Sequence, residues 1–382
     1  MLLRRIADWF ESHWATPAYS GWVLLGIALF FFGAATNTMA GWLYVMSGAI
    51  MAMLSISTMW PQQVLKGIAI RREPIVPVMA GRALLVELTI ANPTAAAKRL
   101  LQLRDHTPRT LFAQPVLAIP EIAPRDRTRW RYEIPTSHRG IHTWQTVTLR
   151  SAAPLGLFWC SRPQAASAKA VVYPQILPLT HCPIVDQMGS ESGLQWQRDQ
   201  TANAGNEGLT RALRPYRWGD PTRLIHWRTS ARYGELRVRE LEKFTSSPAV
   251  TIALDTASPW SAGSFEQAVI AAASLYSYAL KQGLSVQFWS GGTGAIADRT
   301  AVLTTLAGIM PQTEPASQPL PHPSVIWLST RRPAHLPDSS HYIGFAVATA
   351  AHSSTYPSEA DLSISPNEDL ARQLQRTLAK TR

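Results

Sequence analysis

The stretch Arg211–Glu240, RALRPYRWGDPTRLIHWRTSARYGELRVRE, carries the densest chemistry in the chain. Charged, aromatic and turn residues stand in it at fixed offsets, so it reads as one folded device. Asp220 can serve as an N-cap with Pro221 as the first helical residue, because proline lacks an amide hydrogen that this position leaves unpaired anyway. A helix so started is expected to run to about Arg232. Leu224, Trp227 and Ala231 then fall near one face, and Arg223, Arg228 and Arg232 emerge around the other. Tyr233-Gly234 breaks the helix. Leu236 and Val238 alternate with Arg237 and Arg239 up to Glu240, the period of a strand with one buried face.

Several functions compete for these residues. Arg214, Arg223 and Arg232 can form a structural ion-pair network with Asp220, Glu235, Glu240 and Glu242. They can also form a partner-docking surface, since Arg, Trp and Tyr dominate binding energy at interfaces. Tyr216, Trp218, Trp227 and Tyr233 among arginines suit nucleic acid, but the same acids interrupt the run. Asp220, His226 and Ser230 supply the residue types of a hydrolytic triad. His226 and Ser230 are four apart on the expected helix, yet no nucleophile elbow or oxyanion loop surrounds them.

Working outward toward the N-terminus, no charged side chain occurs from Ala15 to Leu65. Two apolar runs, about 19–35 and 40–59, flank the polar corner Thr36-Asn37-Thr38, and each is near the roughly 20 residues that cross a bilayer. Trp14, Tyr19, Trp22, Trp42, Tyr44 and Trp60 stand toward the ends of these runs, where amphipathic rings favour headgroups. The expectation is a two-pass plasma-membrane hairpin. Arg4 and Arg5 precede it and Lys66, Arg71 and Arg72 follow it, which puts both termini and the soluble part in the cytoplasm. A cleaved signal peptide is the alternative; Asp8, Glu11 and the second apolar run count against it. The chain has 36 basic and 25 acidic residues, a formal charge of +11, which suits an anionic membrane surface as well as nucleic acid. Cys160 and Cys182 lack metal-ligand spacing and read as free thiols.

After the hairpin, short alternating runs at Leu84–Ile90, Arg129–Ile134, Thr143–Arg150 and Ala170–Tyr173 argue for a small β-sandwich with no catalytic signal. The polar stretch 181–206 reads as a linker or mobile loop. Beyond the arginine-rich device, strands at Ala249–Leu254, Ser285–Trp289, Val325–Leu328 and Ile343–Ala348 alternate with helices at Phe265–Gln282 and Arg299–Met310. That order implies a mostly parallel sheet covered on both faces, with a last helix at Asn367–Lys380. The resulting division is 1–66 for the N-terminus and hairpin, 67–180 for the sandwich, 181–206 for the linker, 207–244 for the device, 245–350 for the α/β domain and 351–382 for the tail.

These residues resemble, nearly along the whole chain, bacterial membrane-anchored proteins of domain-of-unknown-function family 58, which end in a von Willebrand factor A-like domain. The resemblance rests on His138-Arg139-Gly140-Ile141, on Pro154-Leu155-Gly156-Leu157-Phe158 and on Tyr173-Pro174. It rests above all on Leu213-Arg214-Pro215-Tyr216, Gly219-Asp220, Arg223-Leu224-Ile225-His226-Trp227, Ser230-Ala231-Arg232 and Leu236 to Glu240. Ser151-Ala152-Ala153-Pro154 departs from it by lacking the acid that commonly precedes the proline. The resemblance implies a non-enzymatic adaptor or scaffold without cofactors, working with a MoxR-type AAA+ ATPase in assembly or maturation of a protein complex. The enzyme alternative is a metal-dependent or hydrolytic activity at Asp255 or at Asp220 and His226.

Domains of the von Willebrand type can hold a divalent cation through Asp-x-Ser-x-Ser after the first strand, since hard ions need several oxygen ligands. Here the segment is Asp255-Thr256-Ala257-Ser258-Pro259. Ala257 and Pro259 occupy the two hydroxyl positions, and Ser329-Thr330 stands where a carboxylate is expected. The site is therefore read as degenerate, with Asp255 capping the following turn or pairing with an arginine of the device.

Overall fold

The computed structural model of the protein describes residues 15–111, 114–190, 210–218, 220, 222, 225–241, 249–312, 324–333, 336–337, 340–348, 354–355 and 360–376. They gather into two compact units that divide between Tyr173 and Pro174.

The first unit opens with the short strand β1 (Thr16–Pro17) and the helices α1 (Tyr19–Thr38) and α2 (Gly41–Leu65). Both helices are long and apolar enough to cross a membrane. They meet through small residues. Ala28 and Ala35 are buried completely, and the Ser47 hydroxyl donates to the Ala28 carbonyl at 2.9 Å from one helix to the other. Close small-residue contacts and interhelical hydrogen bonds are how helices associate where no water drives burial. Trp22, Phe30, Val45 and Trp60 are left exposed on the outside.

Strands β2 (Ala69–Arg72), β4 (Ala83–Ala91) and β7 (Arg127–Pro135) form one antiparallel sheet, with the short β3 (Val78–Met79) between β2 and β4 in the chain. A second sheet runs in the order β1, β9 (Phe158–Tyr173), β8 (Gly140–Ser151), β5 (Lys98–Asp105), β6 (Val116–Ile122), and β3 joins it at β9. Strict alternation in β4 turns Leu84, Val86, Leu88 and Ile90 inward and Leu85 and Glu87 outward. The inward rows of both sheets share one core with Trp130, Trp144, Leu103, Val147 and Leu149. The short β1, β2 and β3 were not anticipated, nor were β5 and β6; in β5, Lys98, Arg99, Arg104 and Asp105 mask the apolar alternation.

A charged cluster lies inside this core. The Arg72 guanidinium grips Asp105 with two bonds of 2.6 and 3.0 Å. Their side chains are only 2% and 0% exposed. The Asp105 carboxylate also accepts from the Tyr132 hydroxyl and from Trp144 Nε1, the latter at 3.0 Å. A buried charge is tolerable only with this kind of full pairing.

In the second unit residues 183–190 form a helix, α3, that buries Ile184, Val185 and Met188. The stretch expected to be linker or loop therefore carries packed structure at its start; 191–209 lie outside the described residues. The device follows: β10 (Thr210–Pro215), α4 (Trp227–Tyr233) and β11 (Arg237–Leu241).

Beyond it, a mixed sheet is built from β12 (Ala249–Leu254), β13 (Ser285–Ser290), β14 (Gly294–Ile296), β15 (Val325–Ser329), β16 (His341–Phe345) and β19 (Leu362–Ile364). Its order is β14-β13-β12-β15-β16-β19, with β14 antiparallel and the rest parallel. The helices are α5 (Ala262–Lys281), α6 (Arg299–Gly308) and α7 (Leu370–Leu374). Helix α5 packs against β12, β13 and β15. The short strands β17 (Val347–Ala348) and β18 (Ser354–Thr355) pair separately. Trp289, Ala253, Trp327 and Tyr342 stand in register across four parallel strands. The small Ala253 leaves room for the two indoles to approach to 5.6 Å between centroids above it.

Candidate functional site

The arginine-rich segment folds as an antiparallel hairpin, β10 against β11, with α4 in the connection. Ala212 pairs with Glu240, Leu213 with Arg239, Arg214 with Val238 and Pro215 with Arg237, and the register shifts between Ala212 and Thr210, which pairs with Leu241. The side chains of Arg239 and Glu240, and the whole of Gly219 and Arg223, lie outside the described residues.

Asp220 is the ion-pair partner of Arg214. Its carboxylate takes two bonds of 2.7 Å from Arg214, and it accepts the Arg217 amide at 2.8 Å. The loop from Pro215 to Asp220 is thus closed by a charge-assisted fork. Arg214 and then the Arg217 amide hold the Asp220 carboxyl below the usual carboxylate range.

The described helix starts at Trp227, after buried Ile225, which forms a bridge with Val238 of β11, whereas Pro221, Arg223 and Leu224 lie outside the described residues. His226 is its N-cap: Nδ1 accepts the Thr229 amide at 3.1 Å and lies 2.7 Å from Thr229 Oγ1. Ser230 donates to the His226 carbonyl at 3.1 Å and accepts the Arg237 amide at 2.9 Å, tying the helix to β11. Gly234 ends the helix at a φ of 71°, a left-handed turn that favours glycine. The residues weighed as a triad are engaged separately: Asp220 with Arg214, the His226 ring with Thr229, and Ser230 with backbone.

Tyr216 is half-buried and donates its amide to the Leu236 carbonyl at 2.8 Å. Trp218, Trp227, Tyr233 and Leu236 are each exposed. Trp218 is 96% exposed, more than any indole could be with a packing role in the hairpin. Arg228 and Arg232, on the same helix as Trp227 and Tyr233, are exposed too, and the Arg237 guanidinium stacks 4.3 Å over the Tyr233 ring. An aromatic surface with arginines at this density is the composition of a binding hot spot.

The second candidate lies at the carboxyl ends of β12 and β15, where open α/β sheets place ligands. Asp255 Oδ1 accepts the Ala257 amide at 3.0 Å, so the residue caps the turn. Oδ2 accepts Ser258 Oγ at 2.6 Å and Ser329 Oγ at 3.1 Å, and the two hydroxyls lie 2.6 Å apart. The hydroxyl that reaches the carboxylate is Ser258, one position after Ala257. One carboxylate with two hydroxyls bonded to each other is short of the oxygen set a hard cation takes. Among the described residues no group of three or more His, Cys, Asp or Glu side chains converges as a metal site. Ser258, three residues along the chain, was within reach of sequence reasoning as an oxygen that could rescue the site; Ser329 was not, because its approach to Asp255 depends on the parallel pairing of β12 and β15.

No curated protein matches the chain. Among solved structures, a CARDB domain from Pyrococcus furiosus is similar at 8% identity over 28% of this chain and 95% of that one, with a TM-score of 0.21. A Listeria innocua β-glucosidase in complex with gluconolactone is similar at 15% identity over 28% of this chain and 16% of that one, with a TM-score of 0.17. A Vibrio harveyi exo-β-N-acetylglucosaminidase is similar at 10% identity over 55% of this chain and 45% of that one, with a TM-score of 0.16. Likenesses this slight say nothing about activity. The model of a family described as protein of unknown function DUF58 matches residues 212–302, from β10 into α6, and this match supports a place for the chain in that family.

Proposed function

We propose that the protein is a membrane-anchored, non-enzymatic adaptor that docks a cytoplasmic partner on the hairpin surface around Trp218, Trp227, Tyr233 and Arg232. The observation that carries this reading is the exposure of those aromatic rings and of Arg228 and Arg232 on a segment where Arg214, Asp220 and Ser230 are already engaged with one another or with backbone. Such rings lose little entropy when a partner covers them. The α/β unit is taken as a degenerate von Willebrand factor A-like domain, and α1 and α2 as a two-pass anchor with the soluble part on the cytoplasmic side. The resemblance to membrane-anchored family members makes a MoxR-type AAA+ ATPase the first partner to test, in assembly or maturation of a protein complex.

The test is affinity purification of the full chain from native membranes in mild detergent, with mass spectrometry of bound proteins. Wild type is compared with Trp227→Ala/Arg232→Ala, two exposed changes that leave the Arg214–Asp220 fork intact. An AAA+ ATPase enriched with wild type and lost with the double variant supports the reading. A partner retained with unchanged affinity by the folded variant removes the docking role from this surface.

A further inference from the structure

Where the hairpin meets the sandwich, the outer face of the second sheet carries an apolar groove of about 430 Å³, within the size range of roughly 300–1,000 Å³ usual for small-molecule sites. Leu100, Ala118, Pro120, Gly156 and Trp159 line it, with Gln102.

Three observations point to its occupant. First, the groove lies beside the ends of both apolar helices. Ser20 at the start of α1 donates to the Gly156 carbonyl at 3.0 Å, and the Ala18 amide donates to the Leu157 carbonyl at 2.7 Å. On the other side, Lys98 Nζ donates to the carbonyls of Gln63 and Lys66 at the end of α2, at 3.2 and 3.0 Å, two residues before Leu100. Second, Leu100 is strained. Its φ of 52° is left-handed, uncommon for leucine, and it turns Arg99 and Leu100 outward in succession, so that an apolar side chain 48% exposed stands in the wall. Third, a cation sits at the rim. Arg150 pairs in register with Gln102, which pairs with Ala118, so all three share the groove's face. The Arg150 guanidinium lies 4.7 Å over the Trp159 ring that lines the groove. An indole with an arginine on it, at the foot of a membrane helix, matches the headgroup level of a bilayer.

We propose that this groove holds one acyl chain of a phospholipid drawn from the bilayer in which α1 and α2 stand, with its phosphate at Arg150. The proposal rests on the membrane-anchor reading. Drawing a chain out of the leaflet covers the apolar wall that would otherwise face water, and the arginine neutralises the phosphate at the point where the lipid bends.

The full chain is reconstituted into phosphatidylethanolamine and phosphatidylglycerol vesicles containing phosphatidylglycerol with a photoactivatable group midway along one acyl chain. Crosslinked peptides are then mapped. Labelling of β5 and β6 is expected, reduced at least about fivefold by Ala118→Trp, which fills the groove, and by Leu100→Glu, an exposed change. Arg150→Ala is expected to weaken the same label. Labelling confined to α1 and α2, or groove labelling equal in all three variants, overturns the proposal. An alkaline wash distinguishes the two readings: protein retained without groove labelling defeats this inference alone, whereas protein released from the vesicles defeats the anchor reading and the inference together.

Discussion

Gly21 lies so close to Leu157 that a Cβ built on it would stand 2.4 Å from the Leu157 carbonyl oxygen. The obstacle is backbone, so no side chain can swing aside. Gly21→Ala is therefore expected to cost about 1–3 kcal/mol by forcing α1 off the sandwich. Hydrogen exchange should show it directly, as loss of protection at the Ala18 amide, which donates to the same carbonyl.

The Arg72–Asp105 pair predicts a larger effect. Arg72→Met leaves a carboxylate inside the core without its counter-charge and should cost about 3–5 kcal/mol. Amide protection in β4 and β7 is the readout. Arg72→Met/Asp105→Leu should cost less than the two single changes added together, because the stranded charge is gone. Tyr132 belongs to the same cluster: burial first, then the hydrogen bond to Asp105, hold its phenol above the usual tyrosine range.

Acid should loosen the Arg214–Asp220 fork. The Asp220 carboxyl ionises at lower pH in the folded hairpin than in the unfolded chain, mainly through Arg214. Its contribution is thus complete above the ordinary carboxylate range and disappears as pH falls through the depressed value. Protection of the Arg217 amide should follow that fall. In Asp220→Asn the amide should be poorly protected at every pH, with no acid transition of its own.

Burial pushes the Cys182 thiol up to about 11, and Cys182 and Cys160 are both fully buried. The thiolate is the reactive form, so both cysteines should resist maleimide labelling near neutral pH and become reactive together with unfolding. Fast labelling of native protein at neutral pH would contradict this packing.

Much of the architecture was legible because it is written in periodicity. Leu84 to Ile90 alternate in the sequence and in burial, and the apolar strand Val250–Leu254 sits between two parallel neighbours. What escaped depends on partners distant in sequence. Lys98 and Asp105 made β5 look like surface, yet one finds the carbonyls at the end of α2 and the other finds Arg72. Asp220 followed by Pro221 carries a helix-start signature, and nothing local in it announces the two short bonds from a guanidinium six residues earlier. His226 is an uncommon N-cap, and the Ile225–Val238 bridge just before it depends on a strand further along the chain. The exposed aromatics of the device were visible as residue types; that they face solvent rather than the sheet was not.

The two contacts at the base of the hairpin, Ala18 with Leu157 and Lys98 with Gln63 and Lys66, have a mechanical meaning. A body held to its anchor by one flexible tether swivels, and a pull on it is spent in slack. This sandwich is held at two feet, one on each helix, so it is braced against swivelling about either. A load applied to it passes into both helices at once, as torque on the pair.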